Sequence, residues 1–149
     1  MKVLVGVLAM LLVACTQSDP ATGGSTANGP TAGSPTPSPS AVPPGVLPAA
    51  QAYVDAVARR DLHGLVNAFH PDGRIVDVSR TIAGHDAIRS WARNEVIGGT
   101  LQVVEIVERR RDGQKLLVHW APAESDGWRA HYDFTVRGDR ISVANLQYA

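Results

Sequence analysis

A stretch of 29 residues that has nothing to bury sets the limit on what this chain can fold into. From Thr16 to Pro44, all but Gln17, Asp19, Asn28 and Val42 are Ala, Gly, Pro, Ser or Thr, and none is aromatic. Such a segment cannot offset its conformational entropy by burial, so it predicts a disordered tether. Its Gly/Ser half reads as a flexible coil, while Ser34 to Pro44, with five prolines, reads as stiffer and more extended. The flexible-coil estimate for this length is a reach of about 30 Å. With the residue on either side, the tether occupies 15–45, leaving 46–149 as one domain of about a hundred residues, enough for one core. Thirteen basic and thirteen acidic residues are interspersed along that domain. The balance gives no field that favours nucleic acid or an anionic surface.

Ahead of the tether, Val3 to Val13 is an eleven-residue apolar run behind Lys2. That is about half the ~20 residues needed to span a bilayer, so 1–14 read as a secretory signal that is removed. Leu12, Val13, Ala14 and Cys15 resemble the lipobox of bacterial lipoproteins. The resemblance implies cleavage before Cys15, a diacylglycerol on its thiol, and a domain anchored at the extracytoplasmic face of the cell membrane. Cys15 is also the only cysteine, which excludes an intramolecular disulfide. Twelve of the thirteen basic residues of the domain are Arg, a composition that points to a GC-rich bacterial genome such as an actinobacterium.

Within the domain, apolar residues fall at 47, 50, 54 and 57 and again at 62, 65, 66 and 69, the spacing of two helices with one buried stripe each. Asp61 is a natural N-cap for the second. Pro71, Asp72 and Gly73 predict a turn, and Arg74 to Val78 a short strand. A third helix is expected over Ala87 to Val96, ended by Gly98 and Gly99. Strands follow at Leu101–Arg110, Gln114–Ala121, Trp128–Val136 and Arg140–Tyr148. The third is the clearest, because Trp128, Ala130, Tyr132, Phe134 and Val136 alternate with Arg129, His131, Asp133 and Thr135. Helices followed by a run of strands predict an α+β fold, with helices packed on a strongly curved antiparallel sheet that encloses a cavity.

This order, together with Phe69–Asp77 and Gly84–Ile88, resembles the NTF2-like superfamily and within it the SnoaL-like group. The family holds isomerases, cyclases and dehydratases beside binding and assembly domains, so the resemblance implies the cone and not one activity. Aligned on ketosteroid isomerase, Tyr53 falls on the oxyanion-hole tyrosine and Asp77 on the general-base aspartate, a pair whose chemistry is proton removal next to a carbonyl. The acid that completes that site is missing; its place falls on or near Tyr132, and Asp133 lies on the opposite face. Tyr53 is equally what a core would use, with its hydroxyl satisfied. Asp77, in a β-branched strand, needs a partner or a purpose if buried, and pairing with an arginine would serve.

Phe69, Trp91, Trp120, Trp128, Phe134, Leu146 and Tyr148 are the expected cavity lining. His119 and His131 are expected on the outer face, and no His, Asp or Glu spacing matches a metal site. Relatives often pair through the outer sheet, so the resemblance admits a homodimer; the polar row Arg129, His131, Asp133 and Thr135 argues against a large apolar interface there. The reading is therefore a membrane-anchored, cofactor-free domain that binds a small apolar or aromatic ligand, or an envelope partner, without catalysis. The alternative is an isomerase, cyclase or dehydratase with Asp77 as base and Tyr53 as hydrogen-bond donor.

Overall fold

The computed structural model describes residues 43–149, so the leader, Cys15 and nearly all of the tether lie outside the described residues. Two helices, α1 (Pro48–Ala58) and α2 (Leu62–Asn67), precede a strand pair, β1 (Phe69–Asp77) and β2 (Arg80–Ala83). Helix α3 (His85–Trp91) runs into one π-helical turn (Ala92–Val96), and β3 (Thr100–Arg110), β4 (Gly113–Ala121), β5 (Trp128–Arg137) and β6 (Arg140–Tyr148) complete the domain.

Local chemistry explains how the helices begin and end. Pro48 starts α1, where its missing N–H costs nothing. The Leu47 N–H ahead of it donates to Gln114 Oε1 at 3.0 Å, and Gln114 Nε2 donates to Gly45 O at 3.0 Å. Gln114 is thus the one buried polar residue among the described residues, and it fastens the entering chain to β4. At the other end of α1, Asp61 N–H reaches Ala56 O at 2.8 Å and Arg60 N–H reaches Val57 O at 3.0 Å. This is the Schellman closure, with Arg60 in the left-handed position at φ 57° that glycine would occupy without strain. Asp61 then caps α2 by accepting from Gly64 N–H at 2.8 Å.

The six strands form one sheet in the order β2-β1-β6-β5-β4-β3. The α+β cone is as the sequence predicts, but the sheet is mixed rather than antiparallel throughout, because β1 runs parallel to β6. The reason lies in topology: β1 and β6 stand at opposite ends of the chain order, so no hairpin dictates their direction. Two further expectations are corrected. The predicted turn at Pro71–Gly73 is absorbed as an irregularity within β1, between Phe69 and Arg74, since a bulge can hold the extra residues without ending the pairing. A side chain at Gly73 would sit 2.8 Å from His70 O, so the close backbone passage there requires glycine. The third helix ends as α-helix at Trp91, and the π turn, closed by Ile97 N–H to Ala92 O at 2.8 Å, carries the chain to Val96.

The core lies between the concave face of the sheet and the helices. Leu116, Val118, Phe134, Ile141, Ala144 and Ile75 project from the strands onto Tyr53, Val57, Leu65 and Ile88. Burial of each large aliphatic or aromatic side chain contributes roughly 1.5–3 kcal/mol. The alternation read from β5 is present, with Ala130, Tyr132 and Phe134 buried and His131 and Asp133 half-buried on the other face; His119 of β4 likewise faces away from the core.

Candidate ligand pocket

Register brings the site together. Asp77 of β1 pairs with Leu146 of β6, and Leu146 pairs with Tyr132 of β5. Three neighbouring strands therefore place Asp77, Leu146 and Tyr132 in one row on one face, the outer two separated by two strand spacings, about 10 Å. Next along the strands, Trp128 pairs with Trp120 and Ala130 with Tyr148. The pocket that results holds about 240 Å³. Trp91, Trp120, Trp128, Tyr132, Leu146 and Tyr148 give it apolar walls, and Asp77, Arg80 and Glu95 give it one polar end. Trp128 and Tyr148 stand at its mouth, 39% and 65% exposed, with ring centroids 5.9 Å apart.

The polar end is tied together by charge. Arg80 donates to Asp77 Oδ2, and its fork spans Glu95 with Nη1 to Oε1 at 3.1 Å and Nη2 to Oε2 at 2.7 Å. A two-residue turn sets Arg80 directly opposite Asp77 in the β1–β2 register. Val78 in that turn has φ 55°, a strained conformation for a β-branched residue. It is held by β6, where Val78 N–H donates to Leu146 O at 2.9 Å and Gln147 Nε2 donates to Val78 O at 3.2 Å. The π turn supplies Glu95. The hydrogen bonds from Arg80 hold its carboxyl below the usual range, against a smaller opposing effect of desolvation.

Tyr53 lies behind this surface and not in the lining. Its ring is 1% exposed and meets Phe69, Tyr132 and Phe134 with centroids 6.0, 6.2 and 5.6 Å away. Phe69 and Phe134, expected in the cavity wall, are instead fully buried around it, because the wall at this depth is formed by Tyr132. The Tyr53 hydroxyl is buried without a hydrogen-bond partner among the described residues, contrary to the satisfied core hydroxyl expected. Burial raises its pKa, and the charges of Tyr132 and Asp77 raise it further; burial and then Asp77 do the same to Tyr132. Both phenols are neutral at physiological pH.

Arg80, Glu95, Val78, Val96, Ala130 and Gln147 complete the lining and were not singled out from the sequence. Arg80 had a signal, three residues beyond Asp77 across a turn. Glu95 had none, since its place depends on the π turn. Among the described residues no three His, Cys, Asp or Glu side chains gather as a metal-ligand set.

The profile of the SnoaL-like domain matches residues 50–144, nearly the whole of the folded part. The chain belongs to the SnoaL-like family. Solved structures agree on the fold. A polyketide cyclase-like protein of Sinorhizobium meliloti is 20% identical, with a TM-score of 0.58 over 66% of this chain and 93% of that one. A Mycobacterium tuberculosis protein solved with estradiol-17β-hemisuccinate is 17% identical, with a TM-score of 0.60 over 68% and 91%. A protein of Catenulispora acidiphila with a ketosteroid isomerase-like fold, solved with trimethylamine, is 16% identical, with a TM-score of 0.59 over 70% and 87%. No curated protein matches the sequence. In this SnoaL-like domain, then, the family's cone is present and its floor is closed by Tyr132.

Proposed function

We propose that this SnoaL-like domain is held at the extracytoplasmic face of the membrane by a lipid on Cys15 and binds a small apolar or aromatic molecule without converting it. The observation that carries the reading is the engagement of Asp77 by Arg80, itself clasped by Glu95. A general base offers a free oxygen to the substrate proton, and here Oδ2 is held by Arg80 in a charge-assisted clasp and only Oδ1 is left. The oxyanion donor is also out of place, since Tyr53 stands behind Tyr132 and outside the lining. Aromatic walls and one polar end are the usual make-up of a small-molecule site, and 240 Å³ is small for one, suited to a single ring with a short side chain.

The chain enters the domain at the far end from the pocket. Gly45 is fastened to Gln114 at the start of β4, and Trp120 lies six residues further along that strand, about 20 Å away. Cys15→Ser is expected to release the protein from membranes or block its processing, and continued processing with membrane retention would remove the anchor.

The enzymatic reading keeps one specific support, the unpartnered Tyr53 hydroxyl within the field of Asp77. Asp77→Asn decides between them. The binding reading expects no enolisable ketone of pocket size to be turned over by either form, and turnover by the wild type that is lost in the variant would establish Asp77 as a base.

A further inference from the structure

The polar end of the pocket has more acceptors than donors. Two carboxylates, Asp77 and Glu95, face one guanidinium, so this end carries a net charge of −1. The three hydrogen bonds from Arg80 use one oxygen of Asp77 and both of Glu95, leaving Asp77 Oδ1 without a partner among the hydrogen bonds of the described residues. A ligand seated here meets the free lone pairs of Asp77 Oδ1, beside an Arg80 whose charge two carboxylates already outweigh. An anionic group would have to approach Arg80 alongside two carboxylates that already overcompensate its charge.

The walls point the same way. Trp91 immediately precedes the π turn that carries Glu95, and Tyr132 shares the register row with Asp77, so aromatic rings border the acidic end on two sides. Aromatic faces beside carboxylates attract cations, through the ring quadrupole as well as through charge. Trp120 and Trp128 extend the apolar wall toward the mouth and would take an uncharged ring.

We infer that the pocket selects a protonated amine: an ammonium seated on the free Asp77 Oδ1, beside Trp91 and within the field of Glu95, with a small aromatic or apolar body along Trp120 and Trp128. This rests on the reading of the pocket as a binding site and deepens it to a ligand class. Arg80 then acts as the bridge that fixes the two carboxylates at this end, not as an anion receptor.

Three probes of similar size test it on the intact chain by calorimetric titration: 2-phenylethylamine, 2-phenylethanol and phenylacetate at pH 7. The amine is expected to bind at least tenfold more tightly than the alcohol, and phenylacetate more weakly than both. Glu95→Gln should cut the amine-to-alcohol preference at least fivefold, and an unchanged preference would overturn the charge selection. Raising the salt should weaken the amine alone, a readout on the wild-type protein that does not depend on the variant folding. An alcohol bound as tightly as the amine, or a preference for phenylacetate, overturns the charge selection and leaves the pocket standing. Binding of none of the three overturns both.

Discussion

Asp77 and Tyr132 stand two strands apart on the same row of the sheet, with Leu146 between them, and together they define the depth of the pocket. Tyr132 lines the pocket and packs edge-on against Tyr53, whose buried hydroxyl lies outside the lining and has no hydrogen-bond partner among the described residues. Removing the Tyr53 hydroxyl should therefore cost nothing in the free protein. An unpartnered buried hydroxyl is penalised by about 1–3 kcal/mol, so Tyr53→Phe is expected to be neutral or to stabilise by about 1 kcal/mol in urea denaturation. A loss of more than 1 kcal/mol would mean that the hydroxyl has a partner.

Arg60 gives a test of the backbone argument. It occupies the left-handed closing position of α1 with an exposed side chain. Glycine there relieves about 1 kcal/mol of strain without loss of packing, so Arg60→Gly should raise the melting temperature by about 4 °C. A lowered melting temperature would contradict the assigned closure.

Gln114 is expected to be costly to remove. Its amide serves Leu47 N–H and Gly45 O from inside the core; Gln114→Leu would strand the Leu47 N–H, while Gly45 O keeps its bond from Arg109 Nη1, at a cost of about 1–3 kcal/mol. Denaturant midpoints measure it. An unchanged midpoint would show that the entry segment does not contribute to stability.

These residues also show where the sequence was and was not sufficient. Alternation in β5 identified Tyr132 as inward and Asp133 as outward, because a half-buried strand must repeat every two residues. The β1 segment was harder to read, since Pro71 and Gly73 signal chain reversal and only the pairing partner, β6, reveals that they form a bulge in a parallel ladder. The Arg80–Glu95 clasp joins residues fifteen apart through a π turn, for which no local pattern exists. Phe69 and Phe134 were correctly apolar and inward, but depth within a cone depends on which neighbour stands in front.

The acid limb of stability follows from the same clasp. The Glu95 carboxyl is held below its ordinary value of 4.5 by hydrogen bonds from Arg80. A depressed folded-state value gives stability that is present above the unfolded value and is lost as pH falls through the folded one. Glu95 is nearly half exposed, so the effect is small. Stability should hold from pH 7 to about 4.5 and fall below it, less steeply in Glu95→Gln; identical acid profiles for the two proteins would remove the clasp from solution.

The most direct test of binding without turnover uses a feature of composition: all three tryptophans of the chain, Trp91, Trp120 and Trp128, line this pocket. Titration of 2-phenylethylamine followed by NMR of the indole N–H signals should shift all three saturably, with the ligand spectrum unchanged after prolonged incubation. Indole signals that do not move at saturating ligand, or a ligand that is converted in the tube, would contradict the account.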